Sequence, residues 1–463
     1  MTRIVAFFLL AAIAASCSQV PKTGAIINGK AKNLTDSMFI LGGPGGGRDT
    51  IRVDKKGAFT MTLADLSEPA NYYILSGSDY ISFLAAPGMK VNLSFDQSDF
   101  LNSIRFTGKG SDICNYMAAK ARVTHNDNFE WFKLEAADFR AKQDSMLSLS
   151  QKLYKDSKKA NPEDPFWARE EGEILYGWAG NLDMYEAYHQ YVTEKPDYKA
   201  PEGFDSYKKD LEINNPRFIK SSSYFAYVSS VIRAEAEKRI DAAMKADSTA
   251  TIDRYKVNGE VAVELLTEPA VLNRYLYNTA EEGMQWKDIA EVQSVIDLFR
   301  DKCKDPEMIK KFDETYNAWK LLEKGQPAFE FTGRDMQGNT VRLSDFKGKY
   351  VYVDVWATWC GPCIGEIPYL DSLETDFEGK NIVFISYSID DDHDAWMKFV
   401  PEKQLKGVQI KGEKGWQSQL CKDYKIKGVP TFMFFDPEGR IISVKMTRPS
   451  DKETREMFTK MGI

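Results

Sequence analysis

The sequence lacks long hydrophobic runs and an excess of basic residues, and it has few cysteines and histidines. No apolar stretch approaches the roughly 18 residues of a membrane-spanning helix, so no transmembrane segment is predicted. Lys and Arg number 61 against 68 Asp and Glu, and the formal charge of −7 argues against nucleic acid as a partner. Six cysteines in 463 residues exclude a disulfide-stapled scaffold. The three scattered histidines and the lack of a second cysteine pair argue against a zinc site.

Residues 1–17 have the pattern of an export signal. A basic residue precedes an apolar run over residues 4–15, and small residues then lead to Cys17. Residues 14–17 resemble a bacterial lipobox, in which the cysteine is lipidated and becomes the new N-terminus. This predicts a protein of the cell envelope, on the periplasmic side, anchored to a membrane by a lipid on Cys17. The alternatives are cleavage by an ordinary signal peptidase and a buried N-terminal helix.

Hydrophobic periodicity divides the rest of the chain into three regions, so the predicted fold is multi-domain. Residues 25–110 hold short β-type runs separated by turn residues, which predicts an all-β sandwich or small barrel. Residues 111–324 change to helical spacing with proline-containing breaks, which predicts an α-helical region of seven or eight helices. Residues 325–463 alternate apolar strands with helices, which predicts an α/β domain.

The motif that carries chemistry is Trp-Cys-Gly-Pro-Cys at residues 359–363. It follows an apolar strand predicted at 350–356 and opens a helix, so Cys360 meets the N-terminal end of the helix, where backbone N–H groups stabilise a thiolate. We expect Cys360 to be exposed at the tip and Cys363 to lie one turn deeper. One sulfur can then attack an external disulfide and the other can resolve the mixed disulfide, which is two-electron exchange without a cofactor.

Four motifs occur in order at residues 325–329, 343–349, 355–363 and 428–431. Together they resemble the thioredoxin superfamily, and specifically its membrane-tethered TlpA/ResA-like thiol–disulfide oxidoreductases. The resemblance covers residues 325–463 and implies a thioredoxin-like fold there. The β-rich region also resembles the domain that precedes thioredoxin modules in some exported lipoproteins.

The resemblance implies roles for residues at matching positions. Cys360 would be the attacking nucleophile and Cys363 the resolving cysteine. Pro430 matches the cis-proline that faces the dithiol, and the backbone of Val429 would hold a substrate peptide. Trp359 would shield the dithiol and offer an apolar contact to substrate.

Gly361 and Pro362, between the two cysteines, complete the predicted substrate-binding set. Trp356 is expected to pack in the core instead.

Two acids are candidates for the base that deprotonates Cys363. Asp354, six residues before Cys360, matches the buried carboxylate of thioredoxins, and Glu366 matches the acidic residue of the ResA-like branch. Burial would raise the pKa of either carboxyl toward that of a usable base. We expect both to titrate as a coupled set with Cys363. The alternative is that one of them only caps or solvates its element.

The remaining reactive residue types have simpler interpretations. Three further cysteines remain, Cys114, Cys303 and Cys421, so at least one of them has no partner among the three. Each adjoins apolar residues, which favours buried thiols. The alternative is a Cys114–Cys303 bridge. The acidic run at residues 390–394 follows a strand and opens a helix, which favours helix capping over cation binding.

The sequence therefore predicts an exported thiol–disulfide oxidoreductase that reduces or isomerises disulfides of protein substrates and receives electrons from a membrane thiol donor. One alternative is a partner-binding lipoprotein in which the dithiol is not essential. The other is a thioredoxin-fold peroxidase. Thr358 argues against the peroxidase because it lies two residues before Cys360, whereas the peroxidase threonine lies three residues before the reactive cysteine.

Overall fold

A computed structural model describes residues 24–463 except residues 36, 45–47, 65, 77–78 and 125–128. The predicted export signal and Cys17 lie outside the described residues. The described residues form two compact units, residues 24–124 and residues 129–463. Among the helices of the described ranges, none is long and apolar enough to cross a membrane.

The first unit is a β-sandwich with two short helices. Its elements are β1 Gly24–Lys32, β2 Met38–Gly42, β3 Arg48–Arg52, β4 Ala58–Ala64, β5 Ala70–Ser76, β6 Asp79–Ala85, β7 Lys90–Asp96, α1 Phe100–Ser103, β8 Arg105–Thr107 and α2 Ser111–Thr124. The strand orders of its two sheets are β4-β1-β7-β8 and β3-β2-β5-β6, and only the β1–β7 pair is parallel.

One core fills the space between the two sheets. Phe39 of β2 and Phe95 of β7 meet there with ring centroids 5.4 Å apart. The pattern of buried and exposed residues alternates along β4 and β7, as expected for strands with one solvated face. Helix α2, which we expected to open the helical region, packs on this unit because Cys114 and Ala118 are buried in its core.

The second unit begins with a helical region. Its α-helices are α3 Ala136–Lys158, α4 Phe166–Thr193, α5 Ser222–Ala246, α6 Arg254–Leu265, α7 Pro269–Trp286, α8 Gln293–Lys302 and α9 Pro306–Lys320. Polar side chains begin several of them: Ser221, Asp253 and Asp305 each accept a hydrogen bond from a backbone N–H of the first turn. Two of the proline-containing breaks fall directly at helix starts, because Pro269 and Pro306 are the first residues of α7 and α9.

The second unit ends in a seven-stranded mixed sheet with helices. The elements are β9 Thr332–Arg334, β10 Thr340–Arg342, β11 Tyr350–Trp356, α10 Gly361–Asp376, β12 Ile382–Ser388, α11 His393–Glu402, β13 Val408–Lys411, α12 Gln419–Asp423, β14 Thr431–Phe435, β15 Ile441–Ser443 and α13 Lys452–Lys460. The strand order is β10-β9-β13-β12-β11-β14-β15. The predicted fold class is confirmed: a β-rich domain, a helical region and a thioredoxin-like α/β fold.

Strand β11 lies inside the sheet and positions the cysteine motif. It pairs in parallel with β12 and antiparallel with β14, and all its residues except Tyr350 are buried. A nearly continuous apolar run is typical of such a strand. Because β11 and β12 are parallel, their carboxyl ends meet at one edge of the sheet, where the chain leads from β11 into α10.

The helical region contacts the α/β domain within the second unit. The Lys445 ammonium donates to the backbone carbonyls of Met284 (2.6 Å) and Lys287, at the end of α7. The same ammonium lies 4.8 Å from the ring centroid of Trp319, a distance typical of a cation–π contact. These contacts hold the end of α7 beside the region that follows β15.

Candidate active site

Cys360 and Cys363 form a disulfide at the start of α10, with their Cα atoms 5.2 Å apart. Cys360 is the N-cap residue, and the backbone N–H of Cys363 donates to its Sγ at 3.1 Å. The same donor, together with the helix dipole, would stabilise a thiolate on Cys360 in the reduced state.

The expectation that Cys360 is exposed is wrong for the disulfide form. Cys360 is 5% exposed and Cys363 is 4% exposed, so the two sulfurs are almost equally covered. Closure of the disulfide ring holds the Cys360 sulfur against the first turn of α10, beside the backbone N–H of Cys363.

The segment that leads into the cysteines is fixed by Asp390. Its carboxylate accepts hydrogen bonds from the Thr358 backbone N–H (3.0 Å) and hydroxyl (2.7 Å), and from the Ser388 hydroxyl (2.7 Å). Asp390 is buried, so these bonds compensate for the loss of water around the carboxylate. Capping explains only part of the acidic run: Asp392 caps α11 by accepting from the Ala395 N–H, whereas Asp390 holds the loop before Cys360.

The two tryptophans of the motif differ in environment. Trp359 is 57% exposed, and its ring centroid lies 6.2 Å from that of Trp416. Gly361 and Pro362 are also exposed. Trp356 is buried, as expected for a core residue. An exposed tryptophan that contacts the partly buried Trp416 therefore lies beside the dithiol.

The Val429–Pro430 peptide bond is cis, as the resemblance implies. The Thr431 hydroxyl donates to the Gly428 carbonyl at 2.7 Å, which ties the residues on the two sides of this bond together. Pro430 lines a groove of about 210 Å³ that also includes Trp286 and Trp319 of the helical region. The cis-proline loop thus faces residues from outside the α/β domain.

Asp354 is buried in the middle of β11. Its Oδ1 atom makes no hydrogen bond to any residue that the structure describes. The pKa of Asp354 is raised to about 8, first by burial and then by the negative charges of Glu366 and Glu374. A carboxyl group in this environment exchanges its proton near neutral pH.

Glu366 is also buried but has several partners. Its carboxylate accepts from the Ser450 backbone N–H (3.0 Å) and hydroxyl (2.9 Å), and Arg448 lies 3.6 Å away. These contacts hold the Glu366 carboxylate in place. The two acids therefore differ: Asp354 Oδ1 has no hydrogen-bond partner among the described residues, whereas both Glu366 oxygens accept hydrogen bonds from Ser450.

The other cysteines in the part of the chain that the structure describes are Cys114, Cys303 and Cys421, and all three are free and buried. The alternative bridge between Cys114 and Cys303 is therefore wrong. Burial raises the pKa of all three thiols, that of Cys114 to about 12, so they are poor nucleophiles. Among the described residues, no group of three or more His, Cys, Asp or Glu is arranged to hold a metal ion.

Comparison with known proteins assigns the family. Residues 323–459 match the Redoxin family model. The thiol-disulfide oxidoreductase ResA of Bacillus thuringiensis subsp. konkukian is 32% identical over 139 residues, which cover 30% of this chain and 78% of that protein. The chain belongs to the ResA-like thiol-disulfide oxidoreductases of the thioredoxin superfamily.

Solved structures similar to this ResA-like protein include two from Bacteroides. The thioredoxin domain of a thiol-disulfide oxidoreductase from Bacteroides vulgatus is 34% identical, with 30% of this chain and 98% of that chain covered and a TM-score of 0.28. A thiol:disulfide interchange protein from a Bacteroides species is also 34% identical, with 30% and 91% covered and a TM-score of 0.28.

Several residues of the ResA-like site were not predicted from the sequence. Ser450 and Arg448, which hold Glu366, follow the last strand and carry no motif. Trp416 meets Trp359 from a short turn whose position depends on the tertiary fold. Asp390 was predictable in part, because it follows a strand parallel to β11 and so lies at the same edge of the sheet.

Proposed function

We propose that this protein is an exported reductase or isomerase of protein disulfides that acts through the Cys360–Cys363 dithiol. The observation that carries the proposal is the position of Cys360 as the N-cap of α10, with the Cys363 N–H directed at its sulfur. A helix N-terminus lowers the pKa of a thiol and so favours the thiolate, which is the attacking species.

The proposed reaction is two successive thiol–disulfide exchanges. The Cys360 thiolate attacks one sulfur of a substrate disulfide, and the other substrate sulfur leaves as a thiolate. Cys363 then loses its proton and attacks Cys360, so the Cys360–Cys363 disulfide forms and the substrate leaves with both cysteines reduced. Two electrons pass from the enzyme to the substrate, and an external dithiol must return them.

Asp354 is the preferred base for the Cys363 proton. Its Oδ1 is unpaired among the described residues, while Ser450 and Arg448 engage Glu366. Glu366 then acts by its charge, which raises the pKa of Asp354. Val429, Pro430, Trp359, Gly361 and Pro362 would form the surface that receives the substrate strand.

Export and lipid attachment at Cys17 would place this chemistry on the periplasmic side of a membrane. Disulfides persist in such a compartment, so a reductant there requires a continuous supply of electrons. A membrane thiol relay is the donor class that fits.

The reduction potential of the Cys360–Cys363 pair tests this function. The protein lacking residues 1–17 would be equilibrated in thiol buffers of defined reduction potential. Its reduced cysteines would then be alkylated and counted by mass spectrometry. A value of about −250 mV or lower is expected for a reductant, whereas one near about −120 mV would make the protein a disulfide donor. If the Cys360–Cys363 pair undergoes no reversible two-electron change, the result would favour the partner-binding lipoprotein. Consumption of peroxide would favour the peroxidase.

The helical region is proposed to contact the substrate beside the active site. Trp286, at the end of α7, is 62% exposed and lines the same groove as Pro430. The contacts of Lys445 with Met284 and Lys287 hold that helix end in place. An exposed aromatic residue next to the cis-proline would bind substrate residues that flank the target cysteine.

Replacement of Trp286 by Ala is expected to raise KM for a protein disulfide about tenfold, since loss of an interface aromatic costs more than about 1 kcal/mol. The reaction with a small disulfide such as Ellman's reagent should not change, because the reagent is too small to reach the groove while bound at Cys360. Both would be measured by steady-state kinetics. Tyr191→Ala, which removes an aromatic ring that is 75% exposed on α4, is the matched control. Equal KM values for W286A and wild type would contradict the proposed contact.

A further inference from the structure

A cavity of about 380 Å³ lies beneath α10, on the side of the sheet that carries Asp354. Its inner wall includes Asp354, Trp356 and Ser386, which are buried. Its outer wall includes Asp371 and Lys406, which are exposed. The cavity therefore connects the buried carboxyl group of β11 with the surface of the protein.

Four polar atoms in the cavity wall are buried and make no hydrogen bond to a residue in the described part of the chain. They are Asp354 Oδ1, Trp356 Nε1, Glu374 Oε1 and Gln409 Oε1. A buried polar atom without a partner costs about 1–3 kcal/mol. The cavity is polar and large enough for several water molecules, which would supply these missing partners.

Besides Asp354 of β11, the charged groups around the cavity come from helix α10 and from the segment after α11. Helix α10 contributes Glu366, Asp371 and Glu374 on the side of Asp354. The segment after α11 contributes Lys403 and Lys406, and the Lys406 ammonium lies 2.7 Å from the Asp371 carboxylate. The uncharged residues Ser386 of β12 and Gln409 of β13 complete the polar lining.

Both acids inside the cavity exchange protons close to neutral pH. The pKa of Glu374 is raised to about 7, chiefly by burial; the charge of Asp371 contributes to the rise and that of Lys406 opposes it. The pKa of Asp354 is raised to about 8. Glu374 is half-buried whereas Asp354 is buried, and burial raises the pKa of both carboxyl groups.

We propose that Glu374 passes protons between Asp354 and solvent through water in this cavity. The inference rests on the proposed function. When Cys363 attacks Cys360, the Cys363 proton moves to Asp354, then through water to Glu374, and finally to bulk solvent near Lys406. During reduction of the enzyme disulfide the proton travels the same path inward. Glu374 does not touch the sulfurs; it acts through Asp354.

Glu374→Gln tests this path because Gln keeps the shape but cannot carry a proton in this way. Reduced enzyme would be mixed with Ellman's reagent. Attack by Cys360 releases a first coloured thiolate and leaves the other half of the reagent bonded to Cys360. Cys363 then attacks the Cys360 sulfur, which forms the Cys360–Cys363 disulfide and releases the second coloured thiolate. Single-turnover traces would be recorded from pH 6 to pH 8. The first release should keep the wild-type rate. The second should slow on the order of tenfold, less than the 10²–10⁴ of direct acid–base catalysis.

Two further measurements separate proton transfer from structural damage. Added imidazole, which carries protons through water, should restore much of the second release in the Glu374→Gln variant. Glu378→Gln, an equivalent change at an exposed acid of the same segment outside the cavity wall, should behave as wild type.

Three outcomes would overturn the path: equal second-release rates in E374Q and wild type, equal slowing of both releases, or a slow second release that imidazole does not restore. Absence of any second release in the wild-type protein would instead contradict the proposed dithiol function. Failure of the path and failure of the function are thus distinguishable.

Discussion

Replacement of Cys360 by Ser is expected to abolish disulfide exchange, and replacement of Cys363 by Ser is expected to trap the substrate. Without the Cys360 thiolate no attack occurs, so turnover should fall on the order of 10³-fold or more, as when a covalent nucleophile is removed. With Cys363→Ser the first attack still takes place, but nothing resolves the mixed disulfide. A covalent adduct of one enzyme and one substrate should then accumulate, to be detected by mass under non-reducing conditions.

Cys421→Ala is the matched control for these variants. Cys421 lies in the same unit, but its thiol is buried and burial raises its pKa. Its removal should leave the rate of exchange unchanged and should give no adduct. If the Cys363→Ser variant turned over substrate at the wild-type rate, a resolving role for Cys363 would be excluded.

The strands were the most predictable part of this fold. The bounds predicted for the strand at 350–356 are those of β11, because a run of apolar residues that ends at the cysteine motif allows few other strand boundaries. The eight short runs of the β-rich region each correspond to a strand of the sandwich. Their alternation reflects local physics, since one face of each sheet is buried and the other is solvated.

Elements that depend on tertiary contacts were missed. Strands β9 and β13 are three and four residues long, and each is defined by its pairing with neighbours rather than by its own pattern. Helix α13 was also not predicted, although its buried Phe458 packs against Tyr352 and Phe434 of the sheet. The packing of α2 on the sandwich, rather than with the helices that follow, was likewise not visible in the helical periodicity.

The site was predictable where chemistry and sequence position coincide. Cys360, Cys363 and Pro430 belong to motifs, and the structure places the disulfide at the helix N-terminus and the cis bond before Pro430. The difference in hydrogen bonding between Asp354 and Glu366 was not predictable. It depends on Ser450, which donates twice to Glu366 from a loop 84 residues further along the chain.

Replacement of Asp354 by Asn is expected to stabilise the oxidised protein at neutral pH. Folding raises the pKa of Asp354 from its ordinary value near 3.8 to about 8. Between these values the native state holds a proton that the unfolded state has lost, so the free energy of unfolding falls by about 1.4 kcal/mol per pH unit as the pH rises. Asn carries no such penalty. The variant should therefore match wild type near pH 4 and exceed it by about 2–4 kcal/mol at pH 7.

The same change is expected to slow the resolution step. Without a base near Cys363, release of the second thiolate from Ellman's reagent should fall on the order of 10²-fold, the lower end of general acid–base catalysis. Denaturant unfolding at pH 4 and pH 7 and single-turnover kinetics would measure both effects, with Asp210→Asn, a change at an exposed acid of the helical region, as the control. A gain in stability together with a slower resolution step would show that the buried carboxyl group destabilises the fold but serves as the base. A variant with equal or lower stability than wild type at pH 7 would contradict the raised pKa, and an unchanged second release would assign the base to another group.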